Sequence, residues 1–84
     1  MNSMSSRQFD IAFEIWSPQA GSKEWQIVVD RKVLGKYRRQ LDAIEYAKTL
    51  AREAWQEAAL RTTVIELKPD GRQHTIARFD DDAG

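Results

Sequence analysis

The sequence has no cysteine, one histidine, two prolines and four glycines among its 84 residues. The absence of cysteine excludes disulfide bonds, thiolate metal sites and cysteine nucleophiles. The glycines are scattered along the chain, so they form no glycine-rich loop that could cradle a phosphate. No apolar run approaches the ~20 residues that cross a bilayer. The sequence therefore predicts no disulfide, no phosphate loop and no membrane span.

Charge is balanced in number but not in distribution. The chain carries 13 basic and 13 acidic residues, and three of the acids are the consecutive aspartates at positions 80–82. Outside that run the balance is 13 basic to 10 acidic residues, which is too small an excess to favour nucleic acid or a membrane by bulk field. Residues 1–6 lack the apolar stretch of a secretory signal, so we expect a cytoplasmic protein.

The segment from Leu41 to Leu60 is the only one long and periodic enough to predict a helix. At about 100° per residue, its alanines fall on one side together with Ile44, Leu50 and Trp55, while its carboxylates fall on the other. Alanine favours helix and allows close approach to a neighbouring element. We therefore expect this helix to lie flat on one face of a small sheet.

Period-two alternation of apolar residues predicts strands on both sides of the helix. Pro69-Asp70-Gly71 is a tight-turn signal and predicts an antiparallel hairpin between the last two strands. The predicted fold class is α+β, with a single helix packed on one face of a mostly antiparallel sheet in the chain order βββαββ. The expected strands are residues 9–16, 25–30, 33–37, 63–68 and 74–79. The expected domains are a disordered tail at 1–8, one α+β domain at 9–79 and a solvated acidic tail at 80–84.

Three short motifs carry a resemblance to a known family. They are Trp25-Gln26-Ile27-Val28, Asp42-Ala43-Ile44 with Ala47, Leu50 and Ala51, and Asp70-Gly71-Arg72. Over residues 9–79 the chain resembles the small bacterial proteins grouped as the domain of unknown function 2188 family. It departs from them at the helix start, where Arg38-Arg39-Gln40 stands in place of a serine or threonine. The resemblance implies a fold and a bacterial origin, but it transfers no activity and no functional residue.

No residue pattern indicates catalysis. His74 is the only histidine, and a catalytic histidine needs a nucleophile or carboxylate held against it. Ser17 and Ser22 lie in a linker outside any nucleophile motif, and Glu53 and Glu57 are expected to be ordinary exposed acids on the helix. A terminal aspartate run is typical of a solvated tail rather than a metal site. We therefore expect a non-enzymatic protein without metal or cofactor.

A basic stretch before the helix is one candidate binding surface. If the third strand lies near the helix flank that carries Lys48 and Arg52, all these cations form one patch with aromatic neighbours, which could hold a nucleic acid. The alternative is that lysine and arginine protect an exposed edge strand from pairing. The residues of this predicted basic patch are Arg31, Lys32, Lys36, Arg38, Arg39, Lys48 and Arg52.

The sheet face away from the helix is the other candidate surface, because one helix covers only one face. The core face is expected to take the odd-numbered apolar residues of the strands, including Thr63, Ile65 and Leu67. The opposite face should then carry an apolar set that marks an interface. The predicted self-association residues are Trp16, Val28, Leu34 and Val64. The predicted function is a non-enzymatic interaction module, most simply a homodimer, although Trp16 folding over its own sheet edge and a different protein partner are alternatives. A weak nucleic-acid-binding domain using the basic stretch is the alternative function.

Overall fold

The protein is described by a computed structural model covering residues 9–80. Five strands and one helix follow in the order predicted from the sequence. The predicted tail at 1–8 and residues 81–84 of the predicted tail at 80–84 lie outside the described residues. The elements are β1 (Ile11–Trp16), β2 (Trp25–Val29), β3 (Lys32–Tyr37), α1 (Gln40–Ala58), β4 (Thr62–Leu67) and β5 (Gln73–Phe79).

The strands form one open sheet in the spatial order β3-β2-β1-β4-β5. β1 and β4 are parallel neighbours at the centre, and the other three neighbouring pairs are antiparallel. The helix crosses from the edge strand β3 back to the central strand β4, over one face of the sheet. The predicted α+β class and mostly antiparallel sheet are therefore confirmed.

Alanine lets the helix lie close to the sheet. Ala43, Ala47 and Ala51 are fully buried, and their side chains are too short to hold the two layers apart. Against them pack the fully buried side chains of Ile15 and Ile27 from the two strands β1 and β2. The alanine side of the helix, predicted from its periodicity, is thus the side that contacts the sheet.

β4 lies in the opposite phase to the one predicted. Thr62, Val64 and Glu66 face the helix, so Thr63, Ile65 and Leu67 lie on the uncovered face, and the prediction for these three is wrong. Thr62 and Glu66 are polar, but they can be buried on the covered face because the helix supplies hydrogen-bond partners for them. The Thr62 hydroxyl donates to the Ala51 carbonyl oxygen at 2.9 Å, and the Gln40 amide Nε2 donates to Glu66 Oε2 at 2.9 Å.

Neither end of the helix has the residue that would stabilise it best. Arg39 occupies the N-cap and makes no capping hydrogen bond with its side chain. At the other end Ala59 adopts a left-handed conformation at φ 56°, and its N–H bonds to the Trp55 carbonyl oxygen at 3.0 Å. Glycine is the usual residue there because it has no Cβ to crowd the backbone.

The two hairpins turn differently. Asp30 and Arg31 both have positive φ, at 51° and 69°, which is the geometry of a two-residue type I′ turn between β2 and β3. The predicted Pro69-Asp70-Gly71 turn joins β4 and β5, with the Gly71 N–H bonded to the Lys68 carbonyl at 2.9 Å.

Hydrogen bonds join the residues that precede the two central strands, β1 and β4. The Arg61 N–H donates to Asp10 Oδ2 at 2.9 Å, and the Asp10 N–H donates to the Arg61 carbonyl at 2.7 Å. At the end of β5, Asp80 is 8% exposed and accepts from Arg78 Nη2 at 3.1 Å. Asp80 was expected in the solvated tail and instead belongs to the folded domain.

Candidate interaction surface

The face of the sheet away from the helix carries a group of apolar side chains that we call the open-face band. The register places Val28 beside Val33 of β3 on one side and beside Glu14 of β1 on the other. Trp16 lies beside Leu67 of β4. The band therefore extends over four neighbouring strands. Its members are Trp16, Val28, Val33, Ile65 and Leu67.

Trp16 lies along the sheet rather than extending into solvent. Its indole Nε1 donates to Glu14 Oε1 at 2.9 Å, which joins two residues of β1 that point to the same face. The ring is half-buried, and Val28 is only 4% exposed although α1 lies on the other face of the sheet. The neighbouring side chains on the open face therefore already exclude most water from Val28.

Two grooves meet at Trp16. One has a volume of about 440 Å³, with an apolar lining from Trp16, Val28 and Val33. Charged side chains at its rim are Glu14, Asp30 and Arg31. The other has a volume of about 230 Å³ and lies between the β1–β2 linker and the β4–β5 turn, where Trp16, Leu67 and Pro69 line it. The indole thus forms a wall shared by both grooves.

The predicted self-association residues do not all lie on this surface. Trp16 and Val28 do. Val64 is 0% exposed beneath the helix, so its assignment to the uncovered face is wrong. Leu34 is 50% exposed, and the register leaves it without a partner on β2 because the pairing shifts between Ile27 and Val28. It is therefore the extra residue of a bulge on the edge strand.

Sequence reasoning missed Ile65 and Leu67 as members of the open-face band. Both phases of β4 contain apolar residues, so alternation alone does not show which phase faces the helix. The signal that could have helped is the pair of polar residues Thr62 and Glu66, since a residue that faces a helix can bond to it. This signal can be used only when the position of the helix relative to β4 is known.

The predicted basic patch is divided between two parts of the molecule. Arg31 lies in the β2–β3 turn, Lys32 and Lys36 lie on β3, and Arg38 and Arg39 follow it, so these five line one edge of the sheet.

Lys48 and Arg52 lie elsewhere. The ring of Tyr46 is 6.1 Å from that of Tyr37, centroid to centroid, which identifies the helix flank beside β3. Lys48 is about 200° further around the helix than Tyr46. The condition for one continuous patch, that β3 lies beside the flank of Lys48 and Arg52, is therefore not met.

The edge cations have few acidic neighbours. Arg39 Nε lies 3.4 Å from Asp42 Oδ2 in an exposed ion pair. Within residues 9–80, the other four edge cations make no ion pair, and no carboxylate occurs between Asp30 and Asp42. We call the segment 31–39 the basic edge. Its charge is left largely uncompensated by the chain itself.

Tyr37 fills the space above a glycine at the end of the basic edge. A Cβ on Gly35 would lie 2.7 Å from the Tyr37 hydroxyl oxygen, so the ring occupies the place of a side chain there. Burial, and to a lesser degree the nearby Tyr46, raise the pKa of Tyr37 above 10.0. The phenol is thus neutral over the physiological range of pH.

The histidine and the carboxylates of the described part of the chain do not cluster into a metal site. His74 is exposed on β5 and pairs in register with Glu66. Residues 9–80 contain no cluster of three or more acidic or histidine side chains placed to hold a metal ion. The helix in this range is not long and apolar enough to cross a membrane.

Comparison with known proteins found no match of this chain to a family model, to a curated protein or to a solved structure. The resemblance to the domain of unknown function 2188 family stays a prediction.

Proposed function

We propose that this domain is a non-enzymatic interaction module that self-associates through the open-face band. The observation that supports this most directly is Trp16, a half-buried tryptophan between two grooves on the sheet face opposite α1. Tryptophan is among the residues that most often anchor protein interfaces, because it buries a large area at low cost in side-chain entropy.

The charges around the band fit a second copy of the same surface. An interface about a two-fold axis must be complementary to itself, so each patch needs both signs of charge. Glu14 and Asp30 supply carboxylates on this face, and Lys36 and Arg78 supply cations. A two-fold axis through the band can therefore bring acids of one copy to bases of the other.

The small core gives association a physical reason. The largest fully buried side chains are those of Ile15, Ile27, Val64 and Thr62, and the helix adds only alanines to this group. A domain of this size buries about 60% or a little more of its unfolded surface. Burial of the open-face band between two copies would add apolar area at ~25 cal/mol per Å².

Light scattering across a concentration series tests the proposal. We expect the wild-type protein to approach twice 9.7 kDa and Trp16→Ser to remain at the monomer mass at the same concentrations. Trp55→Ser is the matched control, because Trp55 is half-buried on α1, on the other side of the sheet. It should dimerise like the wild type.

Two outcomes would contradict the proposal. A wild-type mass of 9.7 kDa at every concentration would exclude self-association. Equal loss of the dimer in Trp16→Ser and Trp55→Ser, with both still folded by circular dichroism, would show that the open-face band is not the interface. Co-elution with a single-stranded oligonucleotide at low salt would favour the alternative function.

A further inference from the structure

The outer side of β3 is an edge of the sheet without a partner strand among residues 9–80. Such an edge offers main-chain N–H and C=O groups in the spacing that another extended chain can pair with. Val33 and Leu34 on this strand are 49% and 50% exposed. The bulge at Leu34 divides the edge, so the regular part is the segment from Gly35 to Tyr37. The backbone at Arg39 is still extended, at φ −120° and ψ 140°.

Charge restricts which chain can pair with this edge. If β3 of one copy paired antiparallel with β3 of another over the segment from Gly35 to Tyr37, Lys36 of one copy would lie opposite Lys36 of the other. Like charges opposite each other destabilise strand pairing. The basic edge therefore opposes pairing with itself and favours a strand that carries carboxylates.

We propose that β3 takes up an extended acidic peptide segment as an additional strand, at the segment from Gly35 to Tyr37. The main chain of the peptide pairs with the free edge, and its carboxylates lie beside Lys36 and Arg38, which have no ion pair among the described residues. The paired segment from Gly35 to Tyr37 contains no member of the open-face band, but Lys36 faces the same side of the sheet as the band. Trp16→Ser therefore tests self-association without changing the peptide site.

A peptide fits the edge better than a nucleic acid does. Single-stranded nucleic acids are held by aromatic faces on which bases stack. The aromatic residue of the basic edge, Tyr37, instead covers Gly35 and contacts the ring of Tyr46. The main-chain donors and acceptors of β3 match a second main chain, which a phosphate backbone does not provide.

Titration with labelled synthetic peptides, followed by fluorescence anisotropy at low salt, tests this proposal. The probe is a short peptide of alternating glutamate and valine. One control peptide has lysine in place of each glutamate, and a second keeps all side chains but carries a methyl group on every backbone nitrogen. We expect binding of the first peptide, none of the lysine peptide, and binding weaker by about tenfold for the N-methylated peptide, which lacks the main-chain N–H donors.

Charge-reversal variants locate the site. The double variant Lys36→Glu, Arg38→Glu should lower the affinity for the acidic peptide by about tenfold or more, since attraction is replaced by repulsion at two positions. Lys48→Glu with Arg52→Glu changes the net charge equally on the other flank of the helix and should leave the affinity within about twofold. Trp16→Ser should also bind normally, because the peptide does not use the open-face band.

Three results would overturn the inference. Equal weakening by both double variants would mean that only net charge is sensed. Equal affinity for the unmodified and N-methylated peptides would exclude main-chain pairing. Binding of a single-stranded oligonucleotide without any binding of the acidic peptide would assign the basic edge to nucleic acid instead.

Discussion

The two faces of the sheet bury the same kind of residue to different extents. Ile15 on β1 faces the helix and is fully buried, whereas Ile65 on the neighbouring strand β4 faces the open side and is half-buried. The polar residues Thr62 and Glu66 lie on the covered face, and Ile65 and Leu67 lie on the open one. Hydrophobicity alone therefore does not decide the face. The helix covers its face more completely than the open-face side chains cover one another, although Val28 among them is only 4% exposed.

This difference indicates how much each face contributes to the stability of the domain. The covered face holds the fold together, because its side chains are packed against α1 and its polar groups bond to it. The open face contributes less to the isolated domain, since water still reaches part of each half-buried side chain. Its apolar residues thus remain available for a partner.

The largest expected effect comes from removing one isoleucine on each face. Ile15→Ala should lower the free energy of unfolding by about 2–5 kcal/mol, because it leaves a cavity under the helix. Ile65→Ala should lower it by about 1–2 kcal/mol, since less area is buried and water can enter the space. Urea denaturation at a concentration where the protein is monomeric measures both. Equal losses would show that the two faces do not differ as described.

A smaller effect is expected where the helix ends. Ala59→Gly should raise the free energy of unfolding by about 0.5–1 kcal/mol, because glycine adopts the left-handed conformation without Cβ strain. Ala58→Gly, one residue earlier and still helical, should lower it by about 0.5 kcal/mol. Thermal denaturation compares the two. Both substitutions lie at the end of α1, away from the open-face band, so neither variant should alter the mass in light scattering.

The smallest effect is expected from Tyr37, which packs at the edge of the covered face. Its pKa is raised above 10.0 in the folded state, so folding favours the neutral phenol. The stability that this residue contributes should be fully present below about pH 10 and be lost as the pH rises through the folded pKa. Urea denaturation at a series of alkaline pH values should show a shallower decline for Tyr37→Phe than for the wild type. Parallel declines would contradict this assignment.

The fold was largely predictable because its strongest sequence signals are local. The alternation in β1 and β2, the alanine side of α1 and the Pro69-Asp70-Gly71 turn each depend on neighbouring residues. Local signals of this kind specify the type and order of the elements.

The candidate surface was only partly predictable because its composition depends on how distant segments meet. The phase of β4 is set by parallel pairing with β1, in which Phe13 lies beside Val64. Val64 was therefore assigned to the wrong face, while Trp16 and Val28, on the antiparallel pair β1–β2, were assigned to the uncovered face, where the structure places them. The separation of Lys48 from the basic edge likewise depends on which flank of the helix meets β3.

The parallel pairing at the centre of the sheet also affects how the chain folds. The hydrogen bond that joins Asp10 to Arg61 closes a loop between residues 51 apart in sequence. Contacts of such separation slow folding, because the chain entropy of closing the loop is lost before the contact forms. During synthesis β1, β2 and β3 leave the ribosome before the helix and β4, so Phe13 and Ile15 remain uncovered until the second half of the chain has been made.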